Sequence, residues 1–244
     1  MGRRVTRKSA SGTLRWVECC GLILCMASIS QAAGFSDDFN SYSDGPLDGQ
    51  GSWVGGSAGR VEVDAGRVEL MASAGAENAA VTFNPPLSPD GSGIFEVSVD
   101  IMQDVPTGSS GSNFWGFWVN EPGGQNLGRW YQASYNPRPR IGGSGLVLNP
   151  ADLPGDGQFH NLKMIINTVA HTTEFLFDGG SLGVLDHSSV TTATEIGTVY
   201  FEHWDRADAA PAHLFFDNLV VTPEPAALAG LMLGLLVCRR RRAV

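Results

Sequence analysis

Apolar and polar residues alternate one for one through much of the middle of this chain. The clearest case is Ile94 to Met102, where Phe95, Val97, Val99 and Ile101 fall on one face and Glu96, Ser98 and Asp100 on the other. A period of two is the mark of a strand with one buried and one wet side. Arg60 to Val63 and Arg67 to Met71 flank Asp64-Ala65-Gly66, a turn in which Gly66 can adopt positive φ, so the stretch predicts a hairpin. Further strands are predicted at Ala80 to Phe83, Phe114 to Val119, Arg129 to Ser134, Asn161 to Ile166, Thr173 to Phe177, Gly197 to His203 and Leu214 to Val221. Nothing between residues 34 and 221 sustains a helical period. About ten strands with a core face each make an all-β, two-sheet sandwich. The opening Phe35 to Phe39 and the closing Leu214 to Val220 are alike in kind, and pairing them would seal it.

Outside this span the pattern changes. Residues 1–18 hold Arg3, Arg4, Arg7, Lys8 and Arg15 against one acid, Glu18. Cys19 to Ile29 is apolar but too short to cross a hydrocarbon core of roughly 30 Å as a helix, and small residues follow at Ser30 to Gly34. This is the layout of a secretory signal peptide, residues 1–33, cut after Ala32 or Ala33. It implies secretion machinery and signal peptidase as partners. Leu24 before Cys25 departs from a lipobox, so lipidation is not expected.

At the other end Thr222-Pro223-Glu224-Pro225 leads into the uncharged run Ala226 to Cys238 and then Arg239, Arg240, Arg241 and Arg242. As a short hydrophobic helix that run is about 20 Å long, brief for a permanent span yet workable with arginine snorkelling. The positive-inside bias keeps the arginines cytoplasmic and everything before Pro223 outside. The Pro223-Glu224-Pro225 motif, the apolar run with Gly230 and Gly234, and the arginine block together resemble the PEP-CTERM sorting signal, over residues 222–244. The resemblance implies recognition by an exosortase, membrane attachment that is at least transient, and a host that makes exopolysaccharide.

Charge narrows the function further. Residues 34–222 carry seven basic residues against 23 Asp and Glu, a formal charge of −16. Such a surface repels phosphate backbones, so nucleic acid is not an expected partner. The four cysteines, Cys19, Cys20, Cys25 and Cys238, all lie in the leader or tail, leaving the exported domain without a disulfide, a thiolate zinc site or a cysteine nucleophile.

Three stretches resemble the concanavalin A-like, laminin-G-like jelly rolls of exported bacterial proteins. They are Asp37-Asp38-Phe39 with Gly45 to Gln50 and Trp53, the central Gly157-Gln158-Phe159-His160-Asn161-Leu162-Lys163, and the closing Phe216-Asp217-Asn218-Leu219. The central stretch has Phe159 where that family more often has Trp. The resemblance implies a jelly-roll domain over residues 34–221.

Phe114 to Val119 places large apolar groups on both strand faces: Phe114 and Trp118 on one, Trp115, Phe117 and Val119 on the other. Only one set can fill a core. The other is either covered by a loop or forms a platform for stacking on sugar rings, with Trp130, Tyr131 and Trp204 as further contributors. Asp37, Asp38 and Asp217, near the paired ends, are either turn and strand-end caps or ligands of a structural Ca²⁺. Glu96 and Asp100 share a strand face, but the E-x-D-x-x-E arrangement of concanavalin A-like glucanases is missing. His160, His171, His187, His203 and His213 form no metalloprotease pattern, and no Gly-x-Ser-x-Gly elbow is present.

These features together predict an exported, surface-anchored, non-catalytic β-sandwich that associates with extracellular polysaccharide or matrix. The alternatives are a structural or adhesive surface protein without a sugar ligand, and a glycan-active hydrolase.

Overall fold

The computed structural model describes residues 34–55, 61–71, 75–104, 114–133, 136–141, 144–145, 157–205 and 213–224. Residues 1–33, predicted as a signal peptide, and the predicted sorting tail from Pro225 onward lie outside the described residues. Among the described residues no helix is long and apolar enough to cross a membrane.

The strands in chain order are β1 (Phe35–Asp37), β2 (Gly45–Pro46), β3 (Trp53–Val54), β4 (Val61–Asp64), β5 (Arg67–Met71), β6 (Gly75–Leu87), β7 (Ile94–Asp104) and β8 (Phe114–Asn120). They continue as β9 (Asn126–Ala133), β10 (Asn136–Ile141), β11 (Ser144–Gly145), β12 (His160–Asn167), β13 (Thr172–Phe177), β14 (Gly180–Asp186), β15 (Ile196–Asp205) and β16 (His213–Pro223). One antiparallel sheet runs β14-β13-β12-β7-β16-β5-β4-β2, with β1 also on β16; the other runs β11-β10-β9-β8-β15-β6-β3. Two antiparallel sheets with these long-range pairings make a jelly-roll sandwich.

The predicted alternation of β7 holds: Phe95, Val97, Val99 and Ile101 have no exposed surface. Across the core, Phe117, Val119, Val199 and Phe201 are equally enclosed. Phe201 is the hub where the layers meet. Its ring lies 4.5 Å from Phe216, 5.3 Å from Trp53 and 5.6 Å from Phe117, centroid to centroid. Fully burying aromatic side chains of this size is worth about 1.5–3 kcal/mol each before entropy is counted. The sheets also approach closely at Gly128, where a Cβ would stand 2.9 Å from Met164 Sδ.

The hairpin at Asp64 to Arg67 forms as expected, but both central residues are left-handed, Ala65 at φ 50° and Gly66 at φ 77°. The ends pair too: Phe35 stands opposite Val221 and Asp37 opposite Leu219. The last strand runs beyond the alternating core into the proline motif. Pro223 pairs with Phe95, the Glu224 N–H donates to Ile94 O at 2.9 Å, and Ser92 Oγ donates to Glu224 O at 2.9 Å. Pro225 is outside the described residues.

Candidate functional site

Strand β8 decides what the seven-stranded sheet shows on its outer side. Phe117 and Val119 point into the core, so Gly116, Trp118 and Asn120 point away from it. Trp118 stands opposite Tyr200 on β15 and opposite Arg129 on β9. The Trp118 and Tyr200 rings stack with centroids 5.3 Å apart and planes 11° from parallel. The Arg129 guanidinium lies 4.2 Å from the Trp118 ring centroid and 5.5 Å from that of Tyr131. A row of π-faces and one cation therefore crosses three neighbouring strands. Gly116 makes room for it, because a Cβ there would meet Trp118 Nε1 at 2.2 Å.

Glu202 stands opposite Gly116 in the same ladder. Burial pushes its carboxyl above the ordinary range, while Arg129 and the Trp118 indole pull it back. The indole N–H falls short of a well-formed hydrogen bond, yet is near enough to favour the carboxylate. Tyr200 is pushed up to about 12 by burial and by the charge of Glu202, against an opposing hydrogen bond from Asn120. Its hydroxyl keeps its proton throughout the neutral range. The face thus offers flat apolar rings for C–H stacking, with a guanidinium, a phenol and a carboxylate around them as donors and acceptors.

The predicted platform divides. Trp118 and Tyr131 lie on this face, half-buried. Trp130 does not: it has no exposed surface and packs edge-on against Phe175 at 5.6 Å. Consecutive strand residues point to opposite faces, so Trp130 and Tyr131 cannot share one platform. Trp115 and Trp204 occupy ladder positions opposite His203 and Phe114, and their side chains lie outside the described residues. Sequence reasoning missed Tyr200, Glu202 and Arg129. The signal was present in β15, where Thr198, Tyr200 and Glu202 alternate with Val199 and Phe201.

The three aspartates considered for calcium are arranged differently. Asp37 Oδ2 accepts from Tyr42 Oη at 2.5 Å and from Trp53 Nε1 at 2.8 Å, and Oδ1 accepts from the Phe39 N–H at 2.9 Å. Both oxygens are engaged by the protein, and burial together with Asp37 holds the Tyr42 hydroxyl far above its ordinary pKa. Asp38 Oδ1 caps the Asn40 N–H at 3.2 Å. Asp37 and Asp38 line an open cleft of about 370 Å³ with Tyr42, Ser52, Asn218 and Leu219, and Asp217 is not part of that lining. Burial raises the Asp217 carboxyl most, the Asn218 N–H pulls it part of the way back, and repulsion from Asp100 and Asp38 adds to the rise against a smaller pull from Arg67. Among the described residues no group of three or more His, Cys, Asp or Glu is placed to hold a metal ion.

Glu96 and Asp100, the carboxylates on one face of β7, are each engaged across the sheet. Lys163 Nζ meets Glu96 at 3.0 Å, while Asn161 Nδ2 at 2.8 Å and Asn218 Nδ2 at 2.9 Å donate to Asp100. This arrangement ties strands together.

No protein-family model matches the chain, and no curated protein matches it. Solved structures do. A sialidase superposes with TM-score 0.60 at 13% identity, over 80% of this chain, which spans only 19% of that protein's length. Lectin II from Ulex europaeus gives 0.52 at 10% identity over 79% of this chain and 99% of the lectin. The β-glucanase of Bacillus licheniformis gives 0.51 at 11% identity over 79% and 99%. At such identities the shared property is the concanavalin A-like jelly-roll fold, common to lectins and glycan-active enzymes alike.

Proposed function

We propose that this protein is an exported, surface-anchored, non-catalytic module whose sandwich domain binds polysaccharide through the outer face of its seven-stranded sheet. The carrying observation is the row Tyr200, Trp118, Arg129 and Tyr131, ordered by stacking on consecutive strands. Aromatic planes held before a ligand arrives lose little side-chain freedom on binding, which is what weak, repeated contacts with a polymer need. The fold is shared with lectins, which is consistent with this reading and does not by itself select it.

Catalysis is the less supported reading. Glycoside hydrolysis takes two carboxylates roughly 5 to 10 Å apart. Among the described strand side chains of this face Glu202 is the one carboxylate, and Glu96 and Asp100 lie on the other sheet, bonded to their neighbours.

Export and attachment rest on the two ends: the basic, apolar leader, and the PEP-CTERM-like tail with Pro223, Glu224, Pro225 and the arginines 239–242. In this reading the mature domain faces the extracellular matrix and an exosortase-type enzyme processes the tail. Electrophoresis of the purified full chain through gels containing polysaccharides, with a reducing-sugar assay alongside, tests the binding claim. Retardation without release of reducing ends is expected. Migration unaffected by every polysaccharide would remove the glycan reading, and steady release of reducing ends would replace it with the enzymatic one.

A further inference from the structure

We infer that the folded sandwich keeps the predicted sorting motif closed: Pro223 and Glu224 are held as the last rungs of β16, and a sorting enzyme gains the motif only when that end of the strand peels away from β7. The inference rests on the reading of the tail as a sorting signal.

The first observation is where the hydrogen-bonding capacity of the motif goes. Pro223 and Pro225 have no N–H, so Glu224 carries the single main-chain donor of the three residues. That donor is taken: the Glu224 N–H lies 2.9 Å from Ile94 O. The Glu224 carbonyl is taken too, by Ser92 Oγ at 2.9 Å. In an antiparallel ladder, two directly opposed residues at a hydrogen-bonded position exchange both of their N–H···O bonds. Here one bond is direct and the other is relayed, because Ser92 Oγ also accepts from the Ile94 N–H at 3.1 Å. A main-chain N–H only donates, so the one hydroxyl proton points at Glu224 O. Pro223, one residue earlier, is buried opposite Phe95.

The second observation is that this clasp is braced from behind. Ser92 is followed by Gly93, at φ 70°, whose carbonyl accepts from both the N–H and the Oγ1 of Thr168, at 2.8 and 2.9 Å. Thr168 is itself buried. A Cβ at position 93 would meet Val169 Cγ2 at 2.5 Å, so the turn is built tight against the connection between β12 and β13. The Ser92 hydroxyl is thus held where the last rung needs it.

A recurring way to recognise a peptide segment is to hold it extended through its main-chain N–H and C=O groups. A residue before proline is biased to the extended region, so Glu224 keeps much the same shape whether docked or released. Docking removes the donor and the acceptor rather than the conformation. Opening must therefore precede recognition by this route, and the frequency of opening sets the pace of processing.

Two measurements on the full chain test this. Hydrogen exchange of the Glu224 amide, followed by NMR in detergent micelles, should be slow in the parent protein and about tenfold faster in Ser92→Ala, the scale of one lost hydrogen bond. Pulse–chase in a bacterium that sorts PEP-CTERM proteins, with the mature C-terminus read by mass, should show faster tail processing in the same variant. A second variant leaves the clasp untouched and repeats residues 223–225 after a Gly-Ser spacer, just before Ala226. It should also be processed faster than the parent, and it carries the test if Ser92→Ala melts early in a thermal scan. An unprotected Glu224 amide in the parent overturns the inference and leaves the sorting reading standing, as does processing at one rate in all three chains. Slower processing of a folded Ser92→Ala chain also overturns it, because the enzyme then reads the docked motif. A tail left intact in every chain overturns the sorting reading and this inference with it.

Discussion

Trp118 and Tyr200 are register partners on β8 and β15 whose rings stack 5.3 Å apart, although the two residues are 82 positions apart along the chain. That pairing joins the two halves of the candidate face. Trp118→Ala removes the central ring and uncovers Gly116 without opening the core. We expect it to weaken polysaccharide retardation at least several-fold while shifting the melting temperature little. Trp130→Ala is the matched control: it empties a fully enclosed site and should cost about 3–5 kcal/mol of stability, measured by urea unfolding. If Trp118→Ala binds like the parent protein, the platform is elsewhere.

Asp37 acts as a structural hub. Asp37→Ala strands the Tyr42 hydroxyl and the Trp53 indole N–H, each costing about 1–3 kcal/mol when left without a partner in a buried setting. The loss should be the same in chelator and in calcium, as read by melting curves. A loss appearing only with calcium would restore a metal-binding role for Asp37.

Asp217 should behave in the opposite sense. Its folded-state pKa is raised, so the folded protein resists its ionisation, and its contribution to stability is greatest below the ordinary carboxylate pKa and lost as pH rises through the folded value. Asp217→Asn is therefore expected to raise the melting temperature at pH 7 and to change it little at pH 3. A carboxylate serving calcium would give a drop at pH 7 when calcium is present.

His187 supplies an acid-sensitive point on the other sheet. The Thr173 hydroxyl donates its one proton to Leu127 O at 2.7 Å, so in the 3.2 Å contact between Thr173 Oγ1 and His187 Nδ1 the imidazole must be the donor. Its Nε2 is then bare, enclosed and without a hydrogen-bond partner. Burial and the neighbouring His171 push its pKa below 6.5, against a smaller pull from Asp186. The unfolded chain takes up this proton more readily, so stability is complete above about pH 6.5 and declines below it. Unfolding free energies between pH 7.5 and 5 should fall in the parent protein and stay flatter in His187→Gln. Parallel curves would show that another group governs the acid limb.

Much of the sandwich could be read directly from the residues, for reasons visible in β7 and β16. Both are central strands with one apolar face, and alternation is strongest where one side is fully buried. Strands with less to bury left weaker traces. β10 contains Pro137 and Pro139, which read as breaks because proline cannot donate to a ladder. β14 has one buried position in seven, too few for a period to emerge. The left-handed Ala65 carries no signal at all, since the turn demands that conformation whichever residue stands there.

The candidate face was legible only in part. Trp118 was marked by its size, but nothing local tells which of two aromatic faces of a strand looks outward. That depends on what the opposite sheet presents, and here Met164, Thr173 and Phe175 crowd β9 from within. Tyr200 was invisible as a partner because β15 pairs with β8 only after β9 to β14 have intervened in the chain, and Arg129, on the next strand after Trp118, carries no local mark of the face it shares. Asp37 was legible as a turn cap, which its bond from the Phe39 N–H is, but not as a hub: its partner Trp53 lies 16 residues away and comes back to it only in the folded domain.

Because Phe35 and Val221 are neighbours on adjacent strands, the polypeptide enters and leaves the sandwich at one place. A domain whose ends adjoin is portable: it can sit within a surface loop of a host protein without prising the host apart, or have its ends joined by a short bridge and be reopened at a distant turn. Such a rearranged chain can keep its strand pairings, because the new cut falls in a turn rather than within a ladder.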